Sequence, residues 1–266
     1  MIEFFRKKIN KYSIVKNSLI LIGGTAIAQL IPILSQLVLR RHYTPDQFGE
    51  FSVYASVMGM LAVVSCGKLD SALVVPKKQL EANQLFFAAT TINVFYSSLC
   101  FVGLAVFRTQ LNEFLKLTSD SKLLYFVPLG VFLFSLSRTL NFWLIRQSGF
   151  KQIAVNKLIR RASESVFQLA FITSPKSQFL IIGAITGDVF NNWISIYQCL
   201  RKELVQTVFS REVIKLVVVK YKRFITLASI PSWLNSISLL LPVLIINSKF
   251  SSDIKGNFDL SRQVLA

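Results

Sequence analysis

Long apolar runs alternating with short charged clusters set the rhythm of this chain. The first run covers residues 18–39, and the polar turn after it leads into a second, 49–66, which extends toward Ala72. Further runs cover residues 85–106, 123–145, 153–173, 179–200 and 225–246, and an eighth begins near Gly256. A helix of about 20 residues crosses a hydrocarbon core, so each run predicts a crossing. The fifth is the weakest, because Lys157, Arg160, Arg161 and Glu164 crowd its first half.

A fainter copy of the first hairpin returns near the C-terminus. Leu37-Val38-Leu39 is echoed by Leu244-Ile245-Ile246, and Tyr43, Asp46, Gly49 and Phe51 by Phe250, Asp253, Gly256 and Phe258, at a constant offset. Repeated hairpins mark transporters built from duplicated halves. The expected fold is therefore all-α, a polytopic membrane helical bundle. Residues 1–200 form a first transmembrane repeat of about six helices, 201–223 a cytoplasmic amphipathic linker, and 224–266 an incomplete second repeat. The run 258–266 is too short to span, so the sequence reads as a truncated product or fragment.

Composition agrees with lipid as the solvent. The chain is 53% hydrophobic and only 16% charged, against about 25% charged in an average soluble domain. A net charge of +17 invites a nucleic-acid reading. That reading fails because the cations cluster between apolar runs and form no continuous basic face. With the N-terminus in the cytoplasm, the inside segments collect Arg6, Lys7, Lys8 and Lys11, then Lys77 and Lys78, then Arg146 to Arg161, then the cluster in residues 201–223. This is the positive-inside bias, and it requires the fifth run to cross. The basic start and the Ala26-Ile27-Ala28 step mimic a secretory signal, but the apolar run continues to Leu39, which makes it a retained first span. Cys66, Cys100 and Cys199 form no C-x-x-C and His42 has no partner, so neither a metal nor a cofactor is implied.

The segment Tyr43-Thr44-Pro45-Asp46-Gln47-Phe48-Gly49 resembles the first hairpin of bacterial polysaccharide flippases. These are the O-antigen and exopolysaccharide transporters of the multidrug/oligosaccharidyl-lipid/polysaccharide exporter superfamily. Asn141-Phe142-Trp143-Leu144-Ile145-Arg146 followed by Phe150-Lys151-Gln152 is similar to the fourth-helix exit of that family, and Tyr221-Lys222-Arg223-Phe224, Asn235, Pro242 and Gly256-Asn257-Phe258 to the start of its second half. The resemblance implies transport of a lipid-linked (undecaprenyl-pyrophosphate) oligosaccharide by alternating access, across the bacterial cytoplasmic membrane and for surface polysaccharide such as lipopolysaccharide O-antigen. It implies no enzymatic step. Implied partners are the glycolipid, membrane lipid, a coupling H+ or Na+, and the glycosyltransferases or polymerase of the pathway. Two alternatives stay open: a cation-coupled multidrug exporter of the same superfamily, and an inactive truncated remnant.

Charges at membrane depth cost roughly 2.5–3.5 kcal/mol each on insertion scales, so each needs a reason. Arg138 lies in the fourth run, about 10 Å from its inner end at 1.5 Å per residue. Asp188 lies at similar depth in the sixth, with Asn191 and Asn192 a turn further on, and Arg262 lies in the incipient eighth. Given the resemblance, Arg138 and Arg262 are candidate contacts for a pyrophosphate, which a guanidinium can grip with two parallel hydrogen bonds. Asp188 is a candidate for ion coupling. A structural ion pair between Arg138 and Asp188 on neighbouring helices satisfies the burial cost equally well. Gln29, with Ser35 and Gln36, and Asn235, with Ser229, Ser232 and Ser236, are candidates for lining a cavity and contacting sugars, or for interhelical hydrogen bonds. Gly23, Gly24 and Ala28 permit close helix approach. Asp70 is expected at the interface, paired with Lys68 or Lys77, and Arg40-Arg41 as an interfacial anchor.

Overall fold

A computed structural model describes residues 2–114, 123–202, 204, 211–250 and 258. In chain order the helices are α1 (Ile2–Leu39), α2 (Pro45–Ala62), α3 (Leu69–Ala72), α4 (Gln79–Val106), α5 (Arg108–Phe114), α6 (Phe126–Arg146), α7 (Phe150–Ala170), α8 (Ser177–Arg201), α9 (Arg211–Lys220) and α10 (Ser229–Lys249). A 3₁₀ turn, Leu123–Tyr125, precedes α6, and a π-helical turn, Phe224–Ala228, precedes α10. Among the described residues there is no strand. The all-α bundle expected from the sequence is what forms.

The turn between α1 and α2 follows from its residues. Thr44 caps α2: its hydroxyl accepts from the Gln47 amide at 3.4 Å, and the Gln47 side chain accepts from the Thr44 amide at 2.9 Å. This reciprocal box satisfies two backbone donors that the first turn leaves open. Pro45 occupies the first turn, where its missing N–H costs nothing. Gln47 then donates to the Pro175 carbonyl at 2.8 Å, tying this turn to the one between α7 and α8. Tyr43, Phe48 and Leu180 close a small apolar cluster beneath it. At its other end α2 unwinds before α3, with Gly67 at φ 55° and Lys68 at φ 57°. The left-handed region is costless for Gly67, and Ile225 of the π-helical turn sits directly over it.

Contacts give each helix a direction. Along α1 and α7, Gly24 meets Ala154, Lys157 donates to Thr25, and Ser35 meets Ser165, so the two helices run parallel. Along α7 and α8 the partners advance in opposite senses: Gln168 with Leu180, Arg160 with Asp188, Asn156 with Ser195. Asn192 and Cys199 donate to the Leu133 and Leu140 carbonyls, making α8 parallel to α6. Asn93 with Phe132, and Phe86 with Trp143, set α4 antiparallel to α6. Tyr54 against Gly130, and the Ala62 carbonyl beneath Arg138, set α2 parallel to α6. Gly59 under Leu240 and Gly67 under Ile225 set α10 antiparallel to α2. The long helices α1, α2, α4, α6, α7, α8 and α10 therefore alternate in direction in chain order.

Five segments are long and apolar enough to cross a membrane: Leu19–Leu39, Gln79–Val106, Leu123–Arg146, Ser177–Arg201 and Phe224–Val243. They coincide with five of the seven runs expected to cross, and they make the chain a multi-pass membrane protein. The other two runs, α2 and α7, miss that test because of their polar residues. Yet α7 lies along α1 and α8 over its whole length and α2 lies along α6, so both keep the alternation. The inside of the bundle holds many polar groups, and many large apolar side chains lie outside. Asn93, Ser135, Thr139, Asn156 and Ser195 are fully buried, while Phe95, Leu99, Phe101 and Trp193 are exposed. Hydrocarbon around the bundle accounts for this distribution, since an unpaired polar group there has no water to turn to.

Glycine permits the closest seam. Gly183 and Gly187 form a G-x-x-x-G face on α8, and a Cβ on Gly187 would stand 2.7 Å from the Arg160 carbonyl oxygen. On α1, Gly24 does approach Ala154 as expected, whereas Gly23 faces open space. Gly187→Leu is expected to lower stability by about 1–3 kcal/mol through overpacking. Thermal unfolding in detergent measures this, with Gly23→Leu as the neutral comparison.

Candidate functional site

The charged residues at membrane depth are drawn together in the bundle, but in pairings the sequence did not suggest. Arg138 on α6 does not pair with Asp188. Its Nε donates to Asp70 Oδ2 at 2.8 Å, and its terminal nitrogens reach the same carboxylate oxygen and, at 3.4 Å, the Ala62 carbonyl. Asp70, whose side chain is fully buried on α3, pairs with Arg138 rather than with Lys68 or Lys77. The break after α2 explains this. By turning the chain at Gly67 and Lys68 it swings Asp70 inward, opposite Arg138, and the same guanidinium shares the Ala62 carbonyl at the end of α2 with the Ser65 hydroxyl.

Asp188 pairs with Arg160 on α7. Arg160 Nε stands 2.6 Å from Oδ1 as an ion-pair contact, and a terminal nitrogen donates the hydrogen bond, to Oδ2 at 3.3 Å. Both residues lie near the middle of their helices. Arg160 also covers the Phe134 ring at 5.6 Å, one turn from Arg138 on α6, so the two ion pairs occupy neighbouring levels. Glu164, one turn on from Arg160, is buried and accepts from Arg161 at 2.9 Å. The buried Tyr54 of α2 lies among Asp188, Arg160 and Glu164.

Neutral hydrogen bonds extend the network. Asn191 donates to the Ser137 hydroxyl at 3.0 Å, and Ser137 donates to the Asn192 side-chain oxygen at 2.8 Å. Asn156 donates to Ser195 and Gln198, each at 2.9 Å. Lys157, facing α1, donates to the Thr25 hydroxyl at 2.9 Å.

Among the remaining candidates, Ser35 is buried and meets Ser165, an interhelical bond. Gln29 on α1 and Asn235 on α10 are exposed. Arg262 lies outside the described residues. Arg40 covers the Phe48 ring at 4.6 Å beside the α1–α2 turn. Sequence reading passed over Asp70, Arg160 and Glu164 as site residues. A signal for two of them was present: Asn156, Arg160, Glu164 and Gln168 recur every fourth residue and so share one face of α7. Opposite them run Gly183, Gly187, Asp188 and Ser195 of α8.

In all three pairs the cation is the open member. The side chains of Arg138, Arg160 and Arg161 are 22%, 23% and 36% exposed, and those of Asp70, Asp188 and Glu164 are 0%, 4% and 11%. Such an arrangement can receive an anion without leaving a bare charge in the bundle when the anion departs.

Removing one member of a buried pair strands the other. Arg138→Gln is expected to cost about 3–5 kcal/mol because it leaves Asp70 charged and sealed. Asp70→Asn should cost less, and the double variant should recover most of the loss. Thermal unfolding of the three variants in detergent checks the order.

No curated protein and no solved structure matches the chain. A family model described as polysaccharide biosynthesis protein matches residues 38–266, from the end of α1 through the ion-paired helices and α10 to the last residue of the sequence. That match covers most of the chain, which belongs to this family of polysaccharide biosynthesis proteins.

Proposed function

We propose that the chain serves to move a lipid-linked oligosaccharide, held on a polyprenyl pyrophosphate such as undecaprenyl pyrophosphate, across the bacterial cytoplasmic membrane by alternating access. The N-terminus faces the cytoplasm, no covalent step is involved, and the glycan goes to surface polysaccharide such as O-antigen. What supports this reading is the uniform polarity of the three ion pairs, in each of which the arginine side chain is more exposed than the carboxylate. A pyrophosphate is the anionic part of such a glycolipid, and guanidinium is its best bidentate partner. A multidrug exporter for cationic compounds would call for the reverse polarity. Gln29 and Asn235, both exposed, are proposed as contacts for the sugars, and Arg262 as a further phosphate contact. Of the two coupling ions, a proton suits Asp188 better than Na+, because the Arg160 guanidinium already occupies the place a metal cation would take.

The test uses the purified chain in detergent with a short-chain prenyl diphosphate as probe. The diphosphate should bind more tightly than the prenol of equal length. Arg161→Gln, which alters the most open of the three cations, should weaken it about tenfold, the loss of one charge-assisted hydrogen bond. Equal binding of prenol and diphosphate would overturn the reading, and so would release of inorganic phosphate, the mark of an enzyme.

A further inference from the structure

We propose that the outer face of α9 is a recognition surface for anionic phospholipid headgroups, separate from the ion pairs and from any transported glycolipid. The helix has ten residues, too few to cross, and stands between the end of α8 and the spanning segment that begins at Phe224. It therefore lies at the level where lipid meets water.

Its two faces differ. Ile214, Val217, Val218 and Tyr221 recur at helical spacing and seat on the core around Trp143 and Leu85. Polar contacts hold the register: Lys220 reaches Glu81 at the start of α4, and the Tyr221 hydroxyl donates to the same carboxylate at 2.7 Å. Burial, then the Glu81 carboxylate, pushes the Tyr221 phenol up to about 12, so it remains a donor at neutral pH. With that side committed to the bundle, the helix cannot roll.

The opposite side of α9 carries Lys215, Leu216 and Val219, and Lys222 and Arg223 follow just past its end, all exposed. A face meant for water alone would be polar throughout, yet Leu216 is 69% and Val219 55% exposed between the cations. The strap to Glu81 brings α9 beside Lys77, Lys78 and Leu80, also exposed, which repeat the same mixture. Apolar side chains flanked by Lys and Arg fit the boundary between acyl chains and anionic headgroups. Nucleic acid would engage the cations but strand Leu216 and Val219. A free phosphate would need converging donors, whereas these cations are strung along α9 and just past its end.

The experiment follows amide hydrogen exchange of residues 211–220 with the whole chain in lipid discs. One set of discs holds phosphatidylcholine alone and the other has phosphatidylglycerol added. Exchange should slow when phosphatidylglycerol is present. The triple variant Lys215→Gln, Lys222→Gln, Arg223→Gln should lose that response, at roughly fivefold in affinity per charge removed. Unchanged exchange in α4 and α6 would show that the variant is folded. Equal exchange of the unaltered chain in both discs would overturn the proposal. So would the same slowing in phosphatidylcholine discs on adding inorganic phosphate or an RNA oligonucleotide, or a triple variant that keeps the full response.

Discussion

A charge inside a slab of hydrocarbon has no water to fall back on, and much of this bundle is shaped by that constraint. Arg160 and Asp188 meet at the middle of α7 and α8, and the two helices come close enough to seal them because Gly183 and Gly187 carry no side chain. The same logic ties Arg138 to Asp70, Asn93 to the Phe132 carbonyl, and Asn156 to Ser195. Each bond joins two helices, so satisfying the polar groups and assembling the bundle are one process. The outer surface is left to Leu, Phe, Val and Trp, for which lipid is an adequate partner.

Paired charges are an expensive way to hold helices together. Apolar side chains of equal volume often do as well or better. The presence of charged pairs at two neighbouring interhelical places, Arg138–Asp70 and Arg160–Asp188, is easiest to understand through the arginine being the more exposed member of each. On the proposed reading, the ion pairs let the protein alternate between an empty interior and one that carries a phosphate.

Irregular backbone is concentrated where α2, α3 and α10 meet. Gly67 and Lys68 turn the chain between α2 and α3, and the π-helical turn Phe224–Ala228 rests on them through Ile225. Lys220 and Tyr221 hold the preceding α9 to α4. The chain leaves the first group of helices strapped down on one side of this joint and enters α10 on the other. π-Helical turns are rare, and they occur often at functional sites.

Read without coordinates, the residues are enough to identify the helices, the solvent and the family. Apolar runs of crossing length need only composition and spacing, and the cap of α2 needs only Thr44, Pro45 and Gln47 in that order. The alternation of direction was also legible, because basic clusters follow the ends of the crossings. What the sequence could not show is which charge meets which. Asp70 lies two residues after Lys68 and seven before Lys77 and reads as their partner, but the turn at Gly67 and Lys68 points it toward Arg138, far along the chain. From sequence, Arg160 reads as a flaw in a weak span, and Asp188 as an ion-coupling acid or a partner for Arg138. Only the packing of α7 on α8 reveals them as one pair. Local spacing dictates a helix and its faces, whereas partners across a bundle depend on how those faces are rotated and how closely glycine lets them approach, and these are properties of the assembled fold.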